Sequence, residues 1–158
     1  MTNRFVYVLG LALALSSCQP GEQTPCTATP VTVKAPDNEI ATLRQTLAAK
    51  GITATYDDRG FFYTIKTPGK GAKPTICSNV TVNYTGKLTN GTTFDSGEGV
   101  SFGLGQLILG WQEGIPLVAP GGTVTLYLPP SLAYGPQEQS GIPANSILIF
   151  DIDLLSIN

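Results

Sequence analysis

A chain of 158 residues, 42% hydrophobic and only 13% charged, holds enough apolar material for one domain with a true core and too little charge for a disordered or coiled-coil protein. A net charge of −2 supplies no basic footprint for phosphate backbones, so nucleic acid is not an expected partner. The sequence contains no histidine, which removes Ser-His-Asp and Cys-His catalysis and the commonest metal ligand; neither a metal nor another cofactor is expected.

The first segment reads as an address. Arg4 gives a positive start, and residues 5–15 form an apolar run too short to span a bilayer, which needs ~20 residues. Leu15-Ser16-Ser17-Cys18 follows at once and resembles the lipobox of bacterial lipoproteins, in which the cysteine is acylated and becomes the first residue of the mature chain. On that reading Cys18 anchors the protein to a membrane without crossing it, in the cell envelope on the periplasmic or outer-membrane side. On the plainer reading cleavage falls near Ser17 and Cys18 is incidental. Cys26 and Cys77 remain, in an oxidising compartment where an even leftover count permits a disulfide. Neither lies in a Cys-x-x-Cys pair, so redox catalysis and zinc binding are weak readings. Residues 19–36, rich in Thr, Pro and Gln, read as an extended tether.

Ile40, Leu43 and Leu47 then recur at helical spacing, with Asp37 or Asn38 as N-cap and Gly51 as a stop. This predicts an amphipathic helix over 37–50, which either packs on the domain or serves as a dimerisation arm. Beyond it the period changes. Residues 52–56 and 61–67 are β-rich runs about an Asp57-Asp58-Arg59-Gly60 turn, and Val80, Val82 and Tyr84 alternate with polar residues in a strand expected to end at Gly86. After a turn at 89–92, Phe102 and Leu104 mark a strand feeding a short helix over 109–118, which Pro116 must kink or shorten. Residues 123–128 alternate again, and residues 147–157 are nearly unbroken Ile, Leu and Phe. The predicted fold class is α+β, a curved antiparallel β-sheet wrapped around a short central helix, with one N-terminal amphipathic helix.

The central helix carries Trp111, the only tryptophan. With Leu107, Ile108 and Leu109 it makes either ordinary core or the floor of an apolar cleft, since indole often lines a pocket where its N–H can find a partner. Tyr84, Phe94 and Phe150 are open to the same two readings, and Asp95 could merely cap a turn.

Six segments in order decide how these are best taken together. Val80-Thr81-Val82-Asn83-Tyr84-Thr85-Gly86, Phe94-Asp95-Ser96, Leu107-Ile108-Leu109-Gly110-Trp111-Gln112-Glu113-Gly114, Ala133-Tyr134-Gly135, Gly141-Ile142-Pro143 and Leu148-Ile149-Phe150-Asp151 resemble the FKBP-type peptidyl-prolyl cis-trans isomerases, over residues 75–158. The resemblance implies a prolyl pocket with Trp111 as floor and Tyr84, Phe94, Leu107, Ile108, Tyr134, Ile142 and Phe150 as walls. It implies Asp95 as the carboxylate at the edge, with the Ile108 N–H and the Tyr134 hydroxyl donating to ligand carbonyls. Asp95 and Tyr134 are then the catalytic candidates. Three departures concern the rim: Val100 stands where many members have an aromatic residue, Gln106 where an acidic one is common, and the basic residue that often follows Phe-Asp-Ser is missing from a loop shortened to residues 97–99.

The implied partners are proline-containing polypeptide clients, the membrane through the N-terminal lipid, and a macrolide inhibitor. The chain divides into a signal peptide (1–17), a lipid-anchored linker (18–36), an N-terminal helix and hairpin (37–74) and an isomerase domain (75–158). A non-catalytic peptide-binding chaperone module of the same fold is the alternative, and a lipoprotein whose helix only mediates assembly is a third reading.

Overall fold

The structure, a computed structural model, describes residues 33–158. The expected signal peptide, Cys18, Cys26 and most of the expected linker lie outside the described residues. Cys77 is disulfide-bonded. Ala35, assigned to the linker by composition, is only 2% exposed, and its N–H donates to the Arg59 carbonyl at 2.9 Å.

Helix α1 (Asp37–Ala49) starts after Pro36 with no side-chain cap, so neither Asp37 nor Asn38 is the N-cap residue; both belong to the first turn. Asp37 and Glu39 place negative charge against the positive end of the helix dipole. The helix stops where expected. Gly51 takes φ 66°, its N–H donates to Ala48 and the Ile52 N–H to Leu47, the paired bonds of a Schellman ending. Ile40, Leu43 and Leu47 are buried in the same core as the sheet, each worth roughly 1.5–3 kcal/mol relative to exposure, so α1 packs on the domain. Arg44 lies over the rings of Tyr56 and Phe62, 5.3 and 5.2 Å from their centroids.

Six strands, β1 (Thr55–Tyr56), β2 (Phe62–Thr67), β3 (Asn79–Leu88), β4 (Thr93–Gly103), β5 (Gly122–Leu128) and β6 (Leu148–Ile157), form one antiparallel sheet in the order β1-β2-β5-β6-β3-β4. Strand β3 does not end at Gly86. It runs on to Leu88 because Gly86 pairs with Phe150 on one side and Asp95 on the other; a Cβ there would lie 2.6 Å from the Phe94 ring and 2.8 Å from that of Phe150. The glycine is an accommodation for two rings and not a stop.

Residues 97–99, expected as a loop, lie inside β4. The register slips between Tyr84↔Gly97 and Val82↔Val100, so a bulge absorbs Glu98 and Gly99 without breaking the strand.

Helix α2 (Leu109–Gly114) packs against β5. Gly110 and Gly114, four residues apart and so on one face, lie where any Cβ would collide with Leu128 and Leu126 of β5. The helix therefore sits almost against the strand. It is shorter than the predicted 109–118, giving way to a tight 3₁₀ turn, Ile115–Leu117, where Pro116 has no N–H to continue the ladder.

Candidate active site

Strands β3, β4 and β6, α2 with the link before it, and the turn after β5 each lend a side chain to one hollow. Tyr84 projects inward from β3 by the alternation that buries Val80 and Val82. Opposite it stands Gly97, where a Cβ would come within 2.8 Å of the Tyr84 ring, so this ring can lie across β4 only over a glycine. Trp111 occupies the centre. Its indole meets the rings of Tyr84, Phe150 and Phe102 edge-on, at 5.2, 5.2 and 6.0 Å between centroids. Trp111 is 4% exposed, and its Nε1 is buried without a hydrogen-bond partner among the described residues. A buried donor left in that state costs free energy unless a ligand or water meets it.

A cavity of about 130 Å³ lies over this indole, lined by Tyr84, Asp95, Phe102, Leu107, Ile108, Trp111, Tyr134 and Phe150. Seven of these eight come from the residues singled out in the sequence. Phe94 and Ile142 are not among the lining residues. Phe94 packs edge-on behind Phe150 with centroids 5.6 Å apart, and Ile142 is buried within the same core. Phe102 lines the cavity too, although the sequence marks it only as strand; it shares the inward phase of Val100 and Leu104, the signal that points it there.

The polar groups are few and fixed. The Tyr84 hydroxyl donates to Asp95 Oδ2 at 2.8 Å, and the Ser96 N–H donates to Asp95 Oδ1 at 2.9 Å. Burial, reinforced by that hydrogen bond to the carboxylate, pushes the Tyr84 phenol up to about 12. The Tyr134 phenol is also raised, first by burial and then by the charge of Asp95. Both hydroxyls therefore stay protonated at neutral pH, able to donate. Tyr134 is 37% exposed, at the mouth of the cavity.

Leu107 and Ile108 belong to the short link between a 3₁₀ turn, Leu104–Gln106, and α2. The Ile108 carbonyl accepts from the N–H groups of Trp111 and Gln112, while the Ile108 N–H donates to no backbone carbonyl among the described residues. Gln112 holds the link from below, its Nε2 donating to the carbonyls of Leu107 at 2.7 Å and Gly105 at 3.3 Å. Its role was invisible in sequence because a glutamine on a short helix reads as solvated.

A larger cleft, about 640 Å³, lies on the outer face of the sheet between Lys66, Glu98, Asp151 and Asp153. Its volume is greater but its chemistry is spent. Burial alone would raise the Asp151 pKa, yet hydrogen bonds from Lys66, Thr125 and Lys87 outweigh it and bring the carboxyl to about 2. The Thr123 hydroxyl donates to Asp153. The hollow over Trp111 is the better candidate, because it combines an aromatic floor with a few convergent donors.

Residues 70–155, more than half of the chain, match the family described as FKBP-type peptidyl-prolyl cis-trans isomerase. The chain belongs to that family. This FKBP domain is 44% identical over 112 residues to the FKBP-type peptidyl-prolyl cis-trans isomerase FkpA of Aeromonas hydrophila, covering 68% of the chain and 41% of that protein. The solved structure of FkpA from Escherichia coli superposes with a TM-score of 0.69 at 35% identity, over 77% of this chain and 60% of that one. A peptidyl-prolyl cis-trans isomerase from Pseudomonas syringae pv. tomato gives 0.68 at 27% identity, over 80% and 98%. The match spans less than half the length of the curated relatives.

Proposed function

We propose that this FKBP chain is a peptidyl-prolyl cis-trans isomerase that speeds exchange about X-Pro bonds in exported polypeptides while they fold. The observation that carries the reading is the aromatic cavity over Trp111 with Asp95 and Tyr134 on its rim. An X-Pro amide is held planar by resonance, with a barrier of ~18–20 kcal/mol, and exchanges unaided in ~10–100 s. Twisting it breaks conjugation and leaves a less polar amide, which a water-poor slot holds better than the planar dipole. No covalent bond is made or broken.

In this mechanism the proline ring enters over the Trp111 indole between Tyr84, Phe102 and Phe150, with Leu107 and Ile108 at one side and Phe94 and Ile142 backing the wall. The Ile108 N–H and the Tyr134 hydroxyl hold carbonyls flanking the rotating bond. Asp95 fixes the Tyr84 ring through the bond to its hydroxyl and presents negative charge toward the rotating carbonyl carbon.

The same proposal covers the rest of the chain. Cys18 carries the lipid that holds the protein at an envelope membrane, residues 18–36 are the tether, residues 37–74 are an N-terminal brace and residues 75–158 the catalytic domain. Cys26 is the proposed partner of Cys77, supported by the disulfide-bonded state of Cys77. A rapamycin-type macrolide fits the same slot as an inhibitor.

The test is catalysed exchange of a short Leu-Pro peptide. Acceleration that is abolished by the macrolide and reduced in Asp95→Ala and Tyr134→Phe is the expected result. An unaccelerated peptide, together with protection of a proline-free unfolded chain by wild type and Asp95→Ala alike, would establish the chaperone module instead.

A further inference from the structure

We infer that Glu39, on a helix that precedes the matched family segment, is a positioning residue for Tyr134; the inference rests on the isomerase reading above. Helix α1 lies at Asp37–Ala49, whereas the family match begins at residue 70. Yet Glu39 reaches across 92 residues of sequence to the active-site loop: the Ser131 N–H donates to its Oε2 at 2.9 Å.

Ser131 sits in the 3₁₀ turn Pro130–Leu132 that delivers Tyr134 to the cavity mouth. Pro129 and Pro130 have no N–H, so this stretch has few donors with which to anchor itself. The N–H groups of Leu132, Ala133 and Gly135 are satisfied inside the turn, by the carbonyls of Pro129 and Pro130. The Ser131 N–H is held from outside instead, and by a carboxylate, which makes the stronger, charge-assisted kind of bond. Glu39 rises from a fixed stretch of helix, because Ile40 and Leu43 beside it are buried in the core.

The far end of the same loop closes nearby. The Asn145 N–H donates to the Gly135 carbonyl at 2.9 Å, and a cavity of about 260 Å³ lies between Asn38, Glu39 and Thr42 of α1 and Pro130, Asn145 and Ile147. The first turn of α1 thus stands against both ends of the loop that carries the catalytic phenol. A helix that precedes the family-matched residues 70–155 sets where that phenol points.

The test measures kcat/KM for Leu-Pro peptide exchange in the full chain for wild type, Glu39→Ala, Glu39→Gln, Tyr134→Phe and the Glu39→Ala/Tyr134→Phe double variant. Glu39→Ala is expected to lose about 3- to 10-fold, the worth of one neutral hydrogen bond at Tyr134. Glu39→Gln should recover most of that, since its amide oxygen still accepts from Ser131. The double variant should be no slower than the slower single one, because Glu39 acts through Tyr134. Hydrogen exchange at the Ser131 amide should quicken in Glu39→Ala while the α1 amides stay protected.

Losses that multiply in the double variant, a Glu39→Ala rate equal to wild type, a Glu39→Gln rate no better than Glu39→Ala, or unchanged exchange at Ser131 each overturn the proposal. A wild type slowed by Tyr134→Phe but indifferent to Glu39→Ala sinks this inference alone. A wild type with no catalysis sinks the isomerase reading and this inference with it.

Discussion

The Tyr84 hydroxyl and the Asp95 carboxylate are joined by a 2.8 Å hydrogen bond across the β3–β4 pair, tying a wall of the cavity to its only carboxylate. Removing the carboxylate in Asp95→Ala leaves burial, with a smaller electrostatic contribution from Tyr134, to keep the phenol raised, so the Tyr84 pKa should fall from about 12 yet stay above 10. Tyrosinate absorbance against pH measures this. The same variant should lose about 10-fold or more in kcat/KM, the scale of a lost hydrogen bond to a charged group.

Trp111 is the only tryptophan, so its emission reports on the cavity alone. A Leu-Pro peptide should change the intrinsic fluorescence saturably, and a proline-free peptide of equal length should not. Trp111→Leu should also cost stability, because three edge-on ring contacts vanish with the indole. A loss of about 2–4 kcal/mol in denaturant unfolding is expected.

Glu113 is a buried carboxyl next to the floor. Its side chain is 7% exposed and both oxygens lack hydrogen bonds among the described residues; Arg59 stands 3.9 Å away but is committed to Asp57 by bonds of 2.7 and 2.8 Å. Burial pushes Glu113 up to about 7, with Arg59 opposing and Asp57 adding to the rise. The folded state therefore binds the proton more tightly than the unfolded chain. The Glu113 contribution to stability should be most favourable below about pH 4.5, fall as pH rises toward 7, and become a penalty of up to ~3 kcal/mol above that. Thermal unfolding from pH 4 to 8 should show this slope in wild type and lose it in Glu113→Gln.

Gly86 answers a question of space. Gly86→Ala would force the Phe94 and Phe150 rings apart, with an expected cost of about 1–3 kcal/mol and weaker peptide binding, since Phe150 lines the cavity. Chemical unfolding and fluorescence titration of the same sample check both.

Gln112→Ala should release the Leu107 and Gly105 carbonyls and loosen the link that presents the Ile108 N–H. A KM raised about 3- to 10-fold with little change in melting temperature is the expected outcome, read from saturation kinetics.

Much of this architecture is legible in the chain, because burial imposes a period that residues must obey. Val80, Val82 and Tyr84 announce β3, and Ile40, Leu43 and Leu47 announce α1 and the face it buries. What sequence conceals is geometry set by absent atoms or by distant partners. Gly86 and Gly97 look like breaks but are clearances for rings, so a strand end and a loop were expected where strands continue. Nothing in the sequence pattern marks Glu113 as buried; the approach of Gly110 and Gly114 to β5 seats the helix that carries it against the sheet. Glu39 and Ser131 have no local pattern linking them.

Strand β6 joins what would otherwise be two separate pieces, the ribbon β1-β2-β5 and the hairpin β3-β4, and it is the last of the six in chain order. Phe150 rides on it, whereas Tyr84, Asp95 and Phe102 belong to the hairpin and Tyr134 follows the ribbon. A nascent molecule consequently owns every other ingredient of its slot before it has a slot. On the proposed isomerase reading, peptide binding should appear only once β6 has paired on both sides, so a fluorescent peptide would time that last step of this protein's own maturation.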